Sequence, residues 1–162
     1  MSEVYFAAAP YFGRMVSVTA APIRSLAMSI AKETAEKFAQ ALDAEDYNTA
    51  RGLLSAECKY LCRGRLHVGP TAIVASYQGN GDAAEREFET VSYESAVIDV
   101  PDGAALIQFT DHLSLKGKHF KFKCEQVVEV GEDYLITRIE HRDIPGQREA
   151  LAAFTEEERA DS

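Results

Sequence analysis

The second half of this chain carries apolar residues at every other position, and this alternation most constrains its fold. The two-residue period persists over four segments, roughly 90–100, 104–115, 118–130 and 134–143. The joints between the segments are rich in glycine, proline, aspartate and lysine, a composition typical of tight turns. The sequence therefore predicts four consecutive strands that fold back on one another as an antiparallel meander.

The region before the meander has the helical period instead. Apolar residues recur at three- and four-residue spacing from Ala31 to Leu42, and Ser29 is a suitable N-cap, so we expect a first helix to begin there. Residues 1–28 lack this period, and proline and arginine interrupt their short apolar runs. A signal peptide or a membrane span needs a continuous apolar core. We therefore expect a disordered leader, with a targeting leader as the alternative.

Further short elements lie between the first helix and the meander, and one follows it. Their boundaries are a capping aspartate, an Arg-Gly turn and a Gly-Pro break, each with a physical reason to start or end an element. We predict a short helix from Asp46 to Leu54, a hairpin of 58–62 and 65–68, a helix over 71–78 that Gly79 ends, and a last helix over 147–159. Helices first and an antiparallel sheet second predict the α+β class.

Composition restricts the partners of such a domain. Its 162 residues suit a single domain, and 17 Lys plus Arg against 26 Asp plus Glu give a formal net charge of −9. This charge repels phosphate backbones and anionic lipids, so we expect neither nucleic acid nor a membrane as partner. The cysteines and histidines lack metal-ligand spacing, and a strand places Cys58 and Cys62 too far apart to bridge. We expect a cytoplasmic protein with no metal and no cofactor.

Several stretches of the chain resemble the nuclear transport factor 2-like superfamily, which includes SnoaL-like cyclases and ketosteroid isomerases. They are Glu36–Asp46, Gly69–Val74, Gly117–Val130 and Ile136–Asp143. The resemblance covers about residues 29–146 and implies a cystatin-like cone, in which N-terminal helices pack in the concave face of a strongly curved, mainly antiparallel sheet. It also implies a pocket inside the cone and a homodimer built on the outer face of the sheet. Residues 147–162 would form a C-terminal helix and tail.

The resemblance does not extend to isomerase chemistry. Ketosteroid isomerases use a carboxylate base and an oxyanion hole made of a tyrosine and a protonated aspartic acid. The matching positions here are Phe38 for the tyrosine, Cys62 for the base and Gln126 for the acid. All three groups are changed, which argues against that activity.

Alternation places an aspartate on the inward face of the second long strand. Asp111 shares this face with Phe109 and Leu113, where desolvation would raise the pKa of its carboxyl unless a donor compensates. Two interpretations remain open. Asp111 is either an acid/base group in the pocket, or a structural residue that lies at the rim or binds a neighbouring donor.

Two further polar residues are expected on the inward face. In the third long strand, alternation turns Gln126 inward, where it either orients a ligand or binds backbone groups. The family alignment turns Ile139 and His141 inward in the last strand, and His141 is either a proton carrier or a structural residue. With the turns as register marks, Asp111 and His141 would flank Phe122 in one row, about 10 Å apart.

The predicted hairpin contributes one more wall of the pocket. Cys58, Tyr60 and Cys62 share a face, and a reactive Cys62 would need a cationic neighbour to lower its pKa. Arg63 follows directly but should point to the other face, so we expect buried thiols. The basic residues of the hairpin would either meet an anionic substrate at the pocket mouth or be solvated.

These patterns support three hypotheses about function. The leading one is a SnoaL-like domain that binds a small, mostly apolar molecule in the cone pocket. The predicted ligand-binding residues are Phe38, Tyr60, Cys62, Phe109, Asp111, Gln126, Ile139 and His141. The alternative is a SnoaL-like lyase, isomerase or hydrolase in which Asp111 and His141 share acid/base work. A second alternative is a dimeric interaction module whose pocket is filled by side chains, which the pocket volume would separate from the other two.

Overall fold

The computed structural model describes the backbone of residues 21–160, and side chains from residue 30 onward except that of Glu158. Within these residues the elements are α1 (Ala21–Asp43), α2 (Tyr47–Gly52), β1 (Leu54–Cys62), β2 (Arg65–Val68), α3 (Pro70–Glu87), β3 (Thr90–Val100), β4 (Ala104–Leu115), β5 (Lys118–Val130), β6 (Ile136–Asp143) and α4 (Gln147–Ala160). No helix of the described part is long and apolar enough to cross a membrane.

The strands form one open, mixed sheet in the order β2-β1-β6-β5-β4-β3. The meander predicted from the alternation is confirmed, with β3, β4, β5 and β6 pairing antiparallel in turn. The β1–β2 hairpin joins this meander through a parallel pairing of β1 with β6. The α+β class and the curved, mainly antiparallel sheet are therefore confirmed.

Helix α1 packs against β3, β4 and β5 because one stripe of its surface is apolar and mostly small. The buried residues of this stripe are Ala31, Ala35, Phe38, Ala39 and Leu42. Alanine at three of these positions lets the helix approach the sheet closely. On the sheet side the core continues through Ile107, Val128 and Ile139, which are all fully buried.

The start of the first helix differs from the prediction. Helix α1 already includes Ala21, eight residues before the expected cap at Ser29. The expected leader therefore overlaps the first helix at its end, and residues 1–20 of that leader lie outside the described residues.

The end predicted for the third helix is also wrong, because α3 continues through Gly79 to Glu87. A glycine inside a helix weakens it, but tertiary packing can override that preference. At Gly81 an added Cβ would lie 3.2 Å from the hydroxyl of Tyr47 and 3.5 Å from that of Tyr93. The missing side chain lets the helix pass close to these two rings.

The turn between β5 and β6 changes the register expected across the sheet. It spans Gly131 to Leu135, whose N–H and C=O groups bond at 2.8 Å, and Tyr134 takes a positive φ of 62°. Strand β6 thus starts at Ile136 rather than at 134, and His141 pairs with Gln126 instead of Phe122. The single row of Asp111, Phe122 and His141 is therefore wrong, although Asp111 does pair with Phe122.

Candidate functional site

A cavity of about 490 Å³ lies between α3, α4 and the inward face of the sheet. Its walls are mostly apolar and aromatic. Contributing side chains of this kind include Leu42, Phe88, Phe109, Leu113, Phe122 and Leu151. Polar side chains interrupt these walls, among them Asp43, Asn80, Asp111, Gln126, His141 and Arg148.

Helix α4 forms one wall of the cavity and is attached to the sheet and to α3 by separate contacts. The ring of Phe154 stacks on Phe120 of β5 with centroids 5.3 Å apart. Arg159 donates to Glu87 of α3 at 2.8 Å. The last helix was predicted, but its part in the site was not, because only its packing brings Leu151 to the cavity.

Asp111 is a half-buried carboxyl of the cavity wall. Burial, followed by the negative charge of Asp43, raises the pKa of Asp111 to about 6. Neither a hydrogen bond nor an ion pair holds the carboxyl among the described residues, and the electrostatic effect of His112, which lowers the pKa, is smaller than the effect of desolvation. Of the two interpretations of Asp111, an uncompensated group that faces the cavity is the one that the geometry favours.

Two residues beside Asp111 were missed by the sequence analysis. Asp43, at the end of α1, accepts a hydrogen bond from Ser95 at 2.5 Å, while its other oxygen is buried without a partner. Tyr93 pairs with Asp111 across β3 and β4, and its hydroxyl is also buried without a partner. Burial, then the charge of Asp111, raises the pKa of Tyr93 to about 12. Alternation along β3 could have found Tyr93, whereas Asp43 has the pattern of an exposed helix end.

Gln126 belongs to a network of two tyrosines. Tyr77 donates to its Oε1 at 2.6 Å, and its Nε2 donates to the hydroxyl of Tyr60 at 3.4 Å. The two tyrosine rings stack with centroids 5.1 Å apart and an angle of 7°. Burial raises the pKa of both phenols above their ordinary value, so both hydroxyls stay protonated. Gln126 is thus satisfied by side chains rather than by the backbone.

His141 lies in a second polar group, at the end of β6. Its Nε2 is 3.0 Å from Oδ1 of Asp143, while its Nδ1 is buried without a partner. Arg63 reaches the same carboxylate with contacts of 2.6 and 3.0 Å. The prediction that Arg63 points away is wrong, because its positive φ of 48° in the β1–β2 turn directs the side chain to β6. Its hydrogen bonds hold the pKa of Asp143 well below the usual range.

Two of the three thiols, those of Cys58 and Cys124, are held in the protonated form by burial. Burial raises the pKa of Cys58 to about 11 and that of Cys124 to about 12. All three cysteines are free, which agrees with the predicted absence of a bridge between Cys58 and Cys62. His67 stacks on Tyr60 with centroids 5.7 Å apart, so the hairpin's basic residues do not form a free cluster.

Comparison with known proteins concerns the fold. No protein-family model matches the sequence, and no curated protein does. A solved LEH-like epoxide hydrolase from M. tuberculosis is 24% identical, with a TM-score of 0.56 over 77% of this chain and 91% of that one. A proposed polyketide cyclase from Xanthomonas campestris pv. campestris gives 14% identity and a TM-score of 0.60 over 78% and 97%.

A third solved structure, a nuclear transport factor 2-like protein of unknown function from Exiguobacterium, is 12% identical, with a TM-score of 0.52 over 69% of this chain and 98% of that one. This chain has the nuclear transport factor 2-like fold. The likeness at these identities concerns architecture and leaves the chemistry to the residues themselves.

Within the nuclear transport factor 2-like fold, the structure brings together six of the eight predicted site residues. Those that line the cavity are Tyr60, Cys62, Phe109, Asp111, Gln126 and His141. Phe38 and Ile139 lie instead in the buried core, where Phe38 meets the edge of the Tyr77 ring at 5.9 Å. With the corrected register, the Cα atoms of Asp111 and His141 are about 16 Å apart along a flat sheet, so the two cannot exchange a proton directly.

Proposed function

We propose that the cavity binds a small, mostly apolar molecule that sets a polar group against Asp111. The observation that carries this proposal is a half-buried carboxyl without a hydrogen-bond partner among the described residues, in a space of about 490 Å³ with mostly apolar walls. Sites for small molecules commonly have volumes of about 300–1,000 Å³ and a few well-placed polar groups. A filled pocket, which the interaction-module alternative requires, is not what this space offers.

Desolvation gives the carboxyl a reason to have a ligand. Burial of an ionised group without a partner is costly, and the nearby charge of Asp43 adds to that cost. A ligand that donates a hydrogen bond to Asp111, or shares its proton, would offset part of this cost. The apolar walls then contribute affinity in proportion to the ligand surface that they remove from water.

A second candidate is acid/base catalysis, which the pKa of Asp111 favours. A carboxyl with a pKa of about 6 is mostly ionised near neutral pH and yet basic enough to accept a proton efficiently. Such a group could take a proton from a water molecule or from a carbon acid, as a hydrolase, lyase or isomerase requires. The structural likeness to an epoxide hydrolase supports this class of reaction without naming a substrate.

Mass spectrometry of the purified protein tests the binding proposal. We expect the native protein to retain a small molecule that denaturation releases, and Asp111→Asn to lower the retained fraction. Asp99→Asn is the matched control, because Asp99 is exposed on β3 and does not line the cavity. Native protein that carries nothing and fails to bind neutral fluorophores such as Nile red would contradict the proposal. Turnover of small epoxides that Asp111→Asn abolishes would favour the catalytic candidate.

A further inference from the structure

One side chain of the cavity wall is held at one ring nitrogen and has no partner at the other. The side chain of His141 is only 6% exposed, and its Nε2 lies 3.0 Å from Asp143 Oδ1. Its Nδ1 is buried with no hydrogen-bond partner in the described part of the chain. Buried polar atoms nearly always have partners, so this nitrogen indicates a group that the chain itself does not supply.

The position of the proton on His141 follows from its neighbours. Arg63 binds both oxygens of Asp143, with contacts of 2.6 Å to Oδ1 and 3.0 Å to Oδ2. This bidentate pairing keeps the carboxyl ionised, and an ionised carboxylate can only accept hydrogen bonds. The tautomer that fits this contact carries its proton on Nε2, which donates to Asp143. In that tautomer Nδ1 has a lone pair and is an acceptor.

The neighbouring polar side chains are occupied elsewhere. Gln126, which pairs with His141 across β5 and β6, donates to Tyr60 and accepts from Tyr77. The guanidinium of Arg63 is engaged by Asp143. No described side chain donates to Nδ1, so its donor is assigned to what occupies the cavity that His141 lines.

We propose that Nδ1 of His141 accepts a hydrogen bond from a hydroxyl or N–H group of the cavity ligand, and that Asp143 and Arg63 are positioning residues that keep this nitrogen unprotonated. The inference rests on the function proposed above and adds the chemical class of the ligand to it. The ligand has a mostly apolar body with a hydrogen-bond donor at the β6 end of the cavity. Its recognition at this end is separate from that at Asp111.

The tautomer of His141 can be measured without knowing the ligand. In ¹⁵N spectra of the imidazole rings at neutral pH, with His141 assigned from its loss in His141→Phe, we expect a protonated Nε2 and an unprotonated Nδ1. In Asp143→Leu, which removes the acceptor of the Nε2 proton, the share of the ring protonated at Nδ1 should rise. Arg65→Gln, an exposed change in the same hairpin, should leave the tautomer as it is. A wild-type ring protonated at Nδ1, or an unchanged share of the two tautomers in Asp143→Leu, overturns the inference.

Binding of two matched probes tests the ligand class. By calorimetry, 4-phenylphenol should bind about tenfold more tightly than its methyl ether, which lacks the donor. His141→Phe should remove this preference, and His119→Phe, an exposed change on β5, should retain it. Equal affinities in the wild-type protein overturn the inference while leaving the proposed function intact. If neither probe binds, both fail.

Discussion

Asp111 and His141 line the same cavity but lie in different rows of the sheet. Asp111 pairs with Phe122 and His141 pairs with Gln126, so the two rows are four residues apart along β5. Phe109 and Cys124 form the row between them. That row continues to Asp143 on β6, so one row of side chains separates the two titratable groups. Each of them meets a different part of any molecule that fills the cavity, and their mutations can be interpreted separately.

The stability of Asp111→Asn should exceed that of the wild-type protein increasingly as the pH rises. The carboxyl keeps its proton up to a pH of about 6 in the folded protein, whereas its ordinary pKa is 3.8, so the folded state binds more protons between these values. The free energy of unfolding of the wild type therefore falls as the pH rises through this window, by about 3 kcal/mol at most. Asparagine has no charge to bury and avoids this loss.

Urea unfolding of both proteins at pH 5 and pH 8 measures this effect. We expect the advantage of Asp111→Asn to grow by about 1.4 kcal/mol between the two conditions, because only the last unit of the window, from pH 5 to the pKa of about 6, lies between them. Asp99→Asn, at an exposed position of β3, should show no such growth. If Asp111→Asn were instead destabilised by 1–3 kcal/mol at pH 8, the carboxylate would have donors in the fold and would be structural.

Tyr77→Phe should lower the free energy of unfolding by roughly 1–3 kcal/mol, because it removes the donor to Oε1 of Gln126, a residue that is 3% exposed. The double variant with Gln126→Leu should be less destabilised than the sum of the single changes, since it removes both partners of the hydrogen bond. Chemical denaturation of the four proteins in this cycle gives the coupling. Additive losses would show that the two side chains do not form the bond.

Two glycines of α3 should respond differently to alanine. Nothing lies within 4 Å of a Cβ added at Gly79, so Gly79→Ala should stabilise the protein by roughly 0.5–1 kcal/mol. At Gly81 the added Cβ would lie 3.2 Å from the hydroxyl of Tyr47, so Gly81→Ala should gain less or lose stability. Thermal unfolding compares the two variants directly. Equal stabilisation would mean that the tyrosines move aside without cost.

The alternation of β4 and β5 shows how far the sequence alone could be interpreted. Local patterns located these strands correctly, because turn residues and a two-residue period are both encoded in short stretches. The register of His141 depends on how many residues between Gly131 and Leu135 form the turn instead of pairing in the sheet. The composition of the turn does not give that number. Asp43 and the wall from α4 come from distant parts of the chain, so only tertiary packing places them at the site.

A homodimer through the outer face of the sheet remains a prediction from the resemblance. Alternation puts Leu106, Gln108, Thr110, Ser114 and Val127 on that side, but Ser114 is only 4% exposed within the monomer and cannot contribute. Leu106 and Val127 pair across β4 and β5 and supply apolar surface. Light scattering at micromolar concentration should give twice the monomer mass, and Leu106→Lys with Val127→Lys should give the monomer. A wild-type monomer mass would end this prediction.

The parallel pairing of β1 with β6 has a consequence for how the chain folds. The β1–β2 hairpin is joined to the remaining sheet only through β6, whose residues come about 80 positions later in the sequence. During synthesis the hairpin has left the ribosome while its strand partner is still missing, so the free edge of β1 is exposed until the meander is complete. Because this pairing is long-range, β6 is the last strand to join the sheet. The part of the cavity wall that contains Tyr60 and Cys62 forms only when β6 pairs with β1.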